Sequence, residues 1–216
     1  MNPKTAMLYI MKVKIIAIAG GTGAGKSTVA YALADKYPEK ISILHLDDYQ
    51  WHGENRVKVP LFNGIRNWDH PDVIDWNALI IDLKKLKAGQ EITLMSKSER
   101  VVPRKIKDND ETPTPRLPLT IQPKEVILLE GYLALWNPQV RELLDYSFYL
   151  DAGHDVRMQR RTNFLNKEYE EKVLVPMQKE YVESTKKFAN EVIDVSKFDI
   201  PQVRDIIEQS WRKIPV

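Results

Sequence analysis

Residues 13–28 read Val-Lys-Ile-Ile-Ala-Ile-Ala-Gly-Gly-Thr-Gly-Ala-Gly-Lys-Ser-Thr, an apolar, β-branched run that feeds directly into Gly20-x-x-x-x-Gly25-Lys26-Ser27. This is the pattern of a phosphate-binding loop. A strand has to stop abruptly, backbone N–H groups have to turn inward around a polyphosphate, and a helix has to begin with its positive end aimed at the same charge. Gly20, Gly21, Gly23 and Gly25 suit such a turn, because side chains block the approach and some positions need φ > 0. Thr22, Ala24 and Thr28 complete the stretch expected to lie against the nucleotide. Lys26 is placed to reach the β and γ phosphates, and the Ser27 hydroxyl to ligate Mg²⁺. Val29 and Leu33, with Ala30, Ala32 and Ala34 between and beside them, supply the helix that the motif needs downstream.

Short apolar runs then alternate with longer helical patterns, which implies βαβ units and a mostly parallel sheet. Strands are expected at Lys14–Ala19, Ile41–Leu46, Glu125–Leu129, Ser147–Leu150 and Glu191–Val195. Helices are expected at Trp76–Lys87, with Asp75 as its cap and Gly89 just past its end, from Asn137-Pro138 through Leu144, and at Asp155–Leu165, Tyr169–Phe188 and Pro201–Arg212. The reading is a three-layer α/β/α fold of the P-loop NTPase type, with a mostly parallel five-stranded sheet and a mobile lid. Residues 1–216 suit a single domain of that kind. The segment Ser96–Lys124 holds five of the 13 prolines and almost no periodicity. It reads as a Pro-rich insert or flap outside the core, since a long excursion in a compact domain is usually functional or disordered.

Composition narrows the partners. With 32 basic and 30 acidic residues the net charge is +2, so nothing calls for a nucleic acid or an anionic membrane. There is no cysteine, which excludes disulfides and thiolate zinc sites and fits a cytoplasmic protein. The four histidines are scattered. The apolar run Ala6–Met11 is far short of a signal peptide core or a membrane span. The expectation is a soluble, cytoplasmic chain, compatible with a homo-oligomer, acting on a small molecule.

In an open parallel sheet ligands sit beyond the carboxyl ends of the strands. Strand 2 ends in Leu46-Asp47-Asp48-Tyr49, which makes Asp47 the natural base to orient and deprotonate an acceptor hydroxyl. A solvated acidic turn is the alternative. The third sheet strand ends in Glu130-Gly131, where an acid can hold Mg²⁺ or its water shell. Arg157, Arg160 and Arg161 recur at i, i+3 and i+4 on one helical face. Either they are solvated, or they face the phosphates, with Arg157 on ATP and Arg161 on a closing lid. The block Asn67-Trp68-Asp69-His70-Pro71-Asp72 precedes a helix and reads either as a capped turn or as an acceptor pocket, with Asp69 on a ribose diol and Trp68 beside a base. Its His70, and Tyr49 from strand 2, join the candidate substrate contacts.

Together these segments resemble the uridine kinase family of P-loop kinases and its relatives that phosphorylate nicotinamide riboside, pantothenate or ribulose phosphate. The resemblance runs over roughly residues 13–165. It rests on Gly20–Thr28, Leu46–Tyr49, Asn67–Asp72, Val126–Gly131 and Asp155–Arg161, of which the Asn-aromatic-Asp-His-Pro-Asp block is the most specific. It implies Asp47 as catalytic base, Asp69 on ribose hydroxyls, Arg161 in the lid, ATP or GTP as donor with Mg²⁺, and a nucleoside 5′-hydroxyl as acceptor. Two stretches depart from the family. Its Tyr-Asp…His-x-Arg base-pocket segment is replaced by Leu94–Arg100 without the tyrosine or histidine, and its Arg-Arg-x-x-Arg-Asp becomes Arg160–Leu165, with Lys167 or Lys172 available as substitutes. A nucleotide-binding regulatory or scaffold protein without acceptor chemistry is the competing reading. A GTPase switch is disfavoured, since no Asn-Lys-x-Asp signature follows a strand.

Overall fold

The computed structural model describes residues 12–97, 100, 115–160 and 166–214. Five parallel strands form the main sheet: β1 (Lys14–Gly20), β2 (Ile41–His45), β7 (Val126–Glu130), β8 (Tyr146–Asp151) and β9 (Glu191–Asp194), in the order β2-β7-β1-β8-β9. β1 is central and buried along its whole length, as a strand covered on both faces should be. Its side chains alternate between two cores. Ile15, Ala17 and Ala19 face one, built with α2 (Trp76–Lys87) through Leu79, Leu83 and Leu86. Ile16 and Ile18 face the other, built with α1 (Lys26–Lys36) through Val29 and Leu33 and with the C-terminal helix (Ile200–Trp211) through Val203 and Ile207.

The expected strands and helices form within a residue or two of their expected ends. α2 starts and stops as anticipated, with the Asp75 carboxylate accepting from the Ala78 N–H at 3.0 Å and Gly89 at φ 76° beyond the end. α3 (Pro138–Leu143) is capped by Asn137. The helix expected over Asp155–Leu165 is described as α4, His154–Arg160, and its remainder lies outside the described residues. The long helix over 167–188 has π-helical turns at Glu170–Leu174 and Gln178–Val182 on either side of Pro176. A proline inside a helix removes a donor and crowds the preceding turn, and wider turns on both sides accommodate it.

One expectation is corrected. Ser96–Lys124 was expected to hold no core element, yet its described ends form a regular antiparallel ribbon, β5 (Ile92–Lys97) against β6 (Arg116–Ile121), with Ser96 and Ile121 buried. Pro118 sits opposite Met95 in this ribbon. A two-stranded ribbon has open edges, where a missing N–H is tolerated. A second small hairpin, β3 (Leu61–Phe62) with β4 (Ile65–Arg66), turns through Asn63 and Gly64, both at positive φ, the combination that a tight primed turn requires. Among the described residues no helix is long and apolar enough to cross a membrane.

Candidate active site

The carboxyl ends of β1, β2 and β7 open onto one cleft of about 1530 Å³, lined by the loop from Thr22 through Thr28, by Asp47, Trp68 and Asp69, and by Glu130. Two of the loop glycines answer to what lies behind the loop. Gly23 has φ 79°, and a Cβ there would strike the backbone carbonyl of Arg157. A Cβ on Gly21 would strike the Arg157 guanidinium and the Gln178 amide. Arg157 is only 3% exposed. It donates to the Ala152 carbonyl (2.9 Å) and the Thr22 carbonyl (3.3 Å) and lies 3.8 Å from Glu183. Burial lowers its pKa, and Glu183 works in the opposite direction. The expectation that Arg157 contacts ATP is therefore corrected: it braces the loop from the rear. Its neighbour Arg160 lines the cleft and donates to the Val195 carbonyl at 2.8 Å. Arg161 lies outside the described residues.

At the start of α1, Lys26 folds back to donate to the Gly21 carbonyl at 3.0 Å. The Ser27 hydroxyl donates to Glu130 Oε1 at 3.2 Å. Mg²⁺ is bound by one or two protein oxygens together with phosphate oxygens and water. A hydroxyl and a carboxylate this close, both lining the cleft at a helix N-terminus, are hard oxygen donors that fit such an ion. No group of three or more His, Cys, Asp or Glu side chains placed to hold a metal ion occurs among the described residues. Glu130 is itself held. His45 Nδ1 lies 2.5 Å from Glu130 Oε1, with both side chains 5% exposed.

Asp47 follows β2 on a short 3₁₀ turn, Leu46–Tyr49. Burial pushes its carboxyl pKa up, but Lys97, Arg100 and Lys26 outweigh that and hold it below the usual carboxylate value. Lys97 Nζ stands 3.7 Å and Arg100 Nη2 4.0 Å from its Oδ2. The adjacent Asp48 points the other way, into the protein, with its side chain 1% exposed. It accepts from Ser96 Oγ (2.8 Å), the Lys97 N–H (3.3 Å) and Arg100 Nη1 (2.5 Å). Arg116, across the ribbon, donates to the main-chain carbonyls of Asp48 (2.9 Å) and Asp47 (3.2 Å). Asp48 thus fastens the ribbon to the end of β2, and that fastening brings Lys97 over Asp47.

Where Trp68 and Asp69 line the cleft, Tyr169 from the long helix donates to Asp69 Oδ2 at 2.6 Å, and its oxygen accepts from the Trp68 N–H at 3.0 Å. Tyr132, just past β7, donates to the Trp68 carbonyl at 2.7 Å. Burial, with the charges of Asp69 and Asp47, raises the Tyr132 phenol pKa well above its ordinary value, so it serves as a donor. The Arg56 guanidinium lies 5.2 Å from the Trp68 ring centre, within cation–π reach. Asn67 is buried against Met177 of the long helix.

The profile of the Phosphoribulokinase / Uridine kinase family matches residues 15–164. The chain belongs to that family. It is 34% identical over 200 residues to a uridine kinase of Clostridium perfringens strain ATCC 13124, covering 82% of this chain and 85% of the relative. It is 32% identical over 194 residues to a uridine kinase of Clostridium botulinum strain Langeland, covering 83% and 86%. Among solved structures, a "Possible Uridine Kinase from Bacillus stearothermophilus" superposes with a TM-score of 0.59 at 20% identity, over 84% of this chain and 88% of that one; this likeness speaks for the fold. The chain is a small-molecule kinase of the uridine kinase type.

In this family member the structure gathers Lys26, Ser27, Asp47, Trp68, Asp69 and Glu130 around one cleft and sets two expected substrate contacts aside. Tyr49 is 6% exposed, donates to Asp82 at 2.9 Å and packs in the core. His70 caps the following turn, its Nδ1 accepting from the Asp72 N–H at 3.1 Å, and its ring meets Tyr181 edge-on. Sequence reasoning missed Lys97, Tyr132, Tyr169 and His45. The Asn63-Gly64 pair was a readable hairpin signal, and it places Ile65 and Arg66 on the cleft wall. The tyrosines carried no comparable local pattern.

Proposed function

We propose that this kinase transfers the γ-phosphoryl group of ATP, or of GTP, to the 5′-hydroxyl of a ribonucleoside-like acceptor. The observation that carries the reading is the shared cleft: Lys26 and Ser27 of the loop, Asp47 and Asp69 all line it, and the Lys26 charge is felt at Asp47. Catalysis of this kind is mostly positioning and charge stabilisation. Asp47, kept ionised by Lys97, Arg100 and Lys26, accepts the proton of the attacking hydroxyl as the new O–P bond forms and the bond to the β-phosphate oxygen breaks. Lys26 and the loop N–H groups meet the charge on the transferring group. Ser27 and Glu130 would hold Mg²⁺, which when bound would supply positive charge to offset that of the phosphates. Asp69, fixed by Tyr169, accepts from the ribose diol, and the Trp68 ring with Arg56 forms a wall for the base.

The names borne by the relatives support uridine as the first acceptor to try. The replaced base-pocket segment argues for a panel: uridine, cytidine, nicotinamide riboside, pantothenate and sugar phosphates, each with ATP and Mg²⁺, read by mass spectrometry of the products. A phosphorylated ribonucleoside is expected. Nucleotide binding without acceptor-stimulated ADP release, for every member of the panel, would refute the proposal in favour of a nucleotide-binding scaffold.

A further inference from the structure

His45 belongs to no expectation drawn from the sequence, and the register of the sheet explains why it matters. β2 and β7 are adjacent and parallel, and His45 is the register partner of Glu130 at their carboxyl ends. Partners in register project from the same face, so the imidazole and the carboxylate meet inside the protein, with Nδ1 2.5 Å from Oε1. The far nitrogen is engaged too. His45 Nε2 lies 3.2 Å from the hydroxyl of Tyr31, one helical turn after Ser27 on α1. Tyr31 is 44% exposed and reaches the imidazole from the edge of the protein. A phenol that donates to Nε2 leaves the neutral imidazole with its proton on Nδ1, directed at Glu130. The same Glu130 oxygen accepts from Ser27 Oγ at 3.2 Å. A continuous chain therefore runs from Tyr31 through His45 and Glu130 to Ser27, and both ends of it stand on α1.

We propose that His45 is the positioning residue for the metal-side carboxylate: its Nδ1–H pins Glu130 against Ser27, so that the two oxygens that hold the nucleotide's divalent cation are in place before the nucleotide arrives. A carboxylate buried this deeply is costly without a donor, and a group that orients a metal ligand from behind is typically worth 10–100-fold in metal affinity. The inference rests on Glu130 serving the cation, as in the function proposed above.

The test measures the affinity of the full chain for ADP by calorimetry, once with Mg²⁺ and once with a chelator, and takes the ratio of the two. His45→Ala is expected to reduce that ratio about 10–100-fold while leaving metal-free ADP binding unchanged. Two amide variants separate positioning from bulk and serve even where the alanine variant does not fold. The Asn side chain in His45→Asn puts an N–H close to the place of Nδ1 and should retain most of the ratio. The longer Gln in His45→Gln places its amide near Nε2, away from Glu130, and should lose on the order of tenfold. Equal ratios in the Asn and Gln variants, or a loss that falls equally on metal-free ADP, overturn the inference. A wild-type ratio of one would instead refute the metal role of Glu130, and the inference with it.

Discussion

Replacing Asp48 by alanine tests the reasoning about the ribbon most directly. In the folded protein this carboxylate is 1% exposed and accepts from Ser96, from the Lys97 N–H and from Arg100, with Arg116 at 3.7 Å. Removing one partner of a buried ion pair leaves the other charge uncompensated, at a cost of about 3–5 kcal/mol. Two features place the expected value near 3 kcal/mol: Arg100 keeps Asp47 at 4.0 Å, and Arg116 keeps its carbonyl acceptors. For a chain of this size 1 kcal/mol moves Tm by about 2–4 °C, so Asp48→Ala should melt roughly 6–12 °C lower. Asp48→Asn keeps an acceptor and loses the charge, and should cost about half as much, since bonds to charged groups are roughly twice as strong as neutral ones. Urea unfolding gives the second readout. If the ribbon comes away in the alanine variant before the rest unfolds, the m value falls as well, because less surface remains to be exposed. A stability within about 0.5 kcal/mol of wild type, the ordinary range of a surface substitution, would show that Asp48 does not fasten the ribbon.

Lys26→Ala should fold normally, since Lys26 bonds a loop carbonyl and not the core, yet lose a factor above about 10² in kcat; steady-state kinetics beside a thermal melt checks both halves. Asp47→Asn should lower kcat with KM for the acceptor little changed, whereas Asp69→Asn should raise that KM, because diol binding is already present in the ground state. A ribonucleoside should outperform its 2′-deoxy analogue in the wild type, and equal rates would remove the diol role of Asp69. Burial raises the Asp47 pKa, but Lys97, Arg100 and Lys26 outweigh it and hold the carboxyl below its ordinary value, so Asp47 should stay ionised down to the ordinary carboxylate range and bring no acid limb to kcat/KM above it. In Lys97→Met the Asp47 pKa rises, so the acid limb of kcat/KM moves to higher pH, and an unshifted limb would deny Lys97 its influence on the base.

What the sequence made legible was local. The phosphate loop, the capped helix over Trp76–Lys87 and the acids ending β2 and β7 each follow from neighbours within a few residues. The rest depends on partners brought together by the fold. Tyr169 meets Asp69 across 100 residues and His45 meets Glu130 across 85, so neither could be read from spacing. The ribbon was hidden by its own prolines, which argue against a strand unless one knows that it is two-stranded. Arg157 misled for a different reason: the i, i+3, i+4 recurrence says which residues share a helix face, and it does not say whether that face meets solvent, ligand or the back of a loop.

The guanidinium behind Gly21 has a consequence for how such a chain can change over generations. Positions 21 and 157 lie far apart in sequence and compete for one volume, so their substitutions depend on order. An alanine at 21 would press on the ends of the Arg157 and Gln178 side chains, which would have to give way. Once 157 has become small and the Gln178 amide has moved aside, a hollow opens beneath the loop, and a side chain at 21 turns from an obstruction into a filler. The two arrangements are joined by an ordered path: going out, the arginine gives way before the glycine, and coming back, position 21 returns to glycine before the arginine.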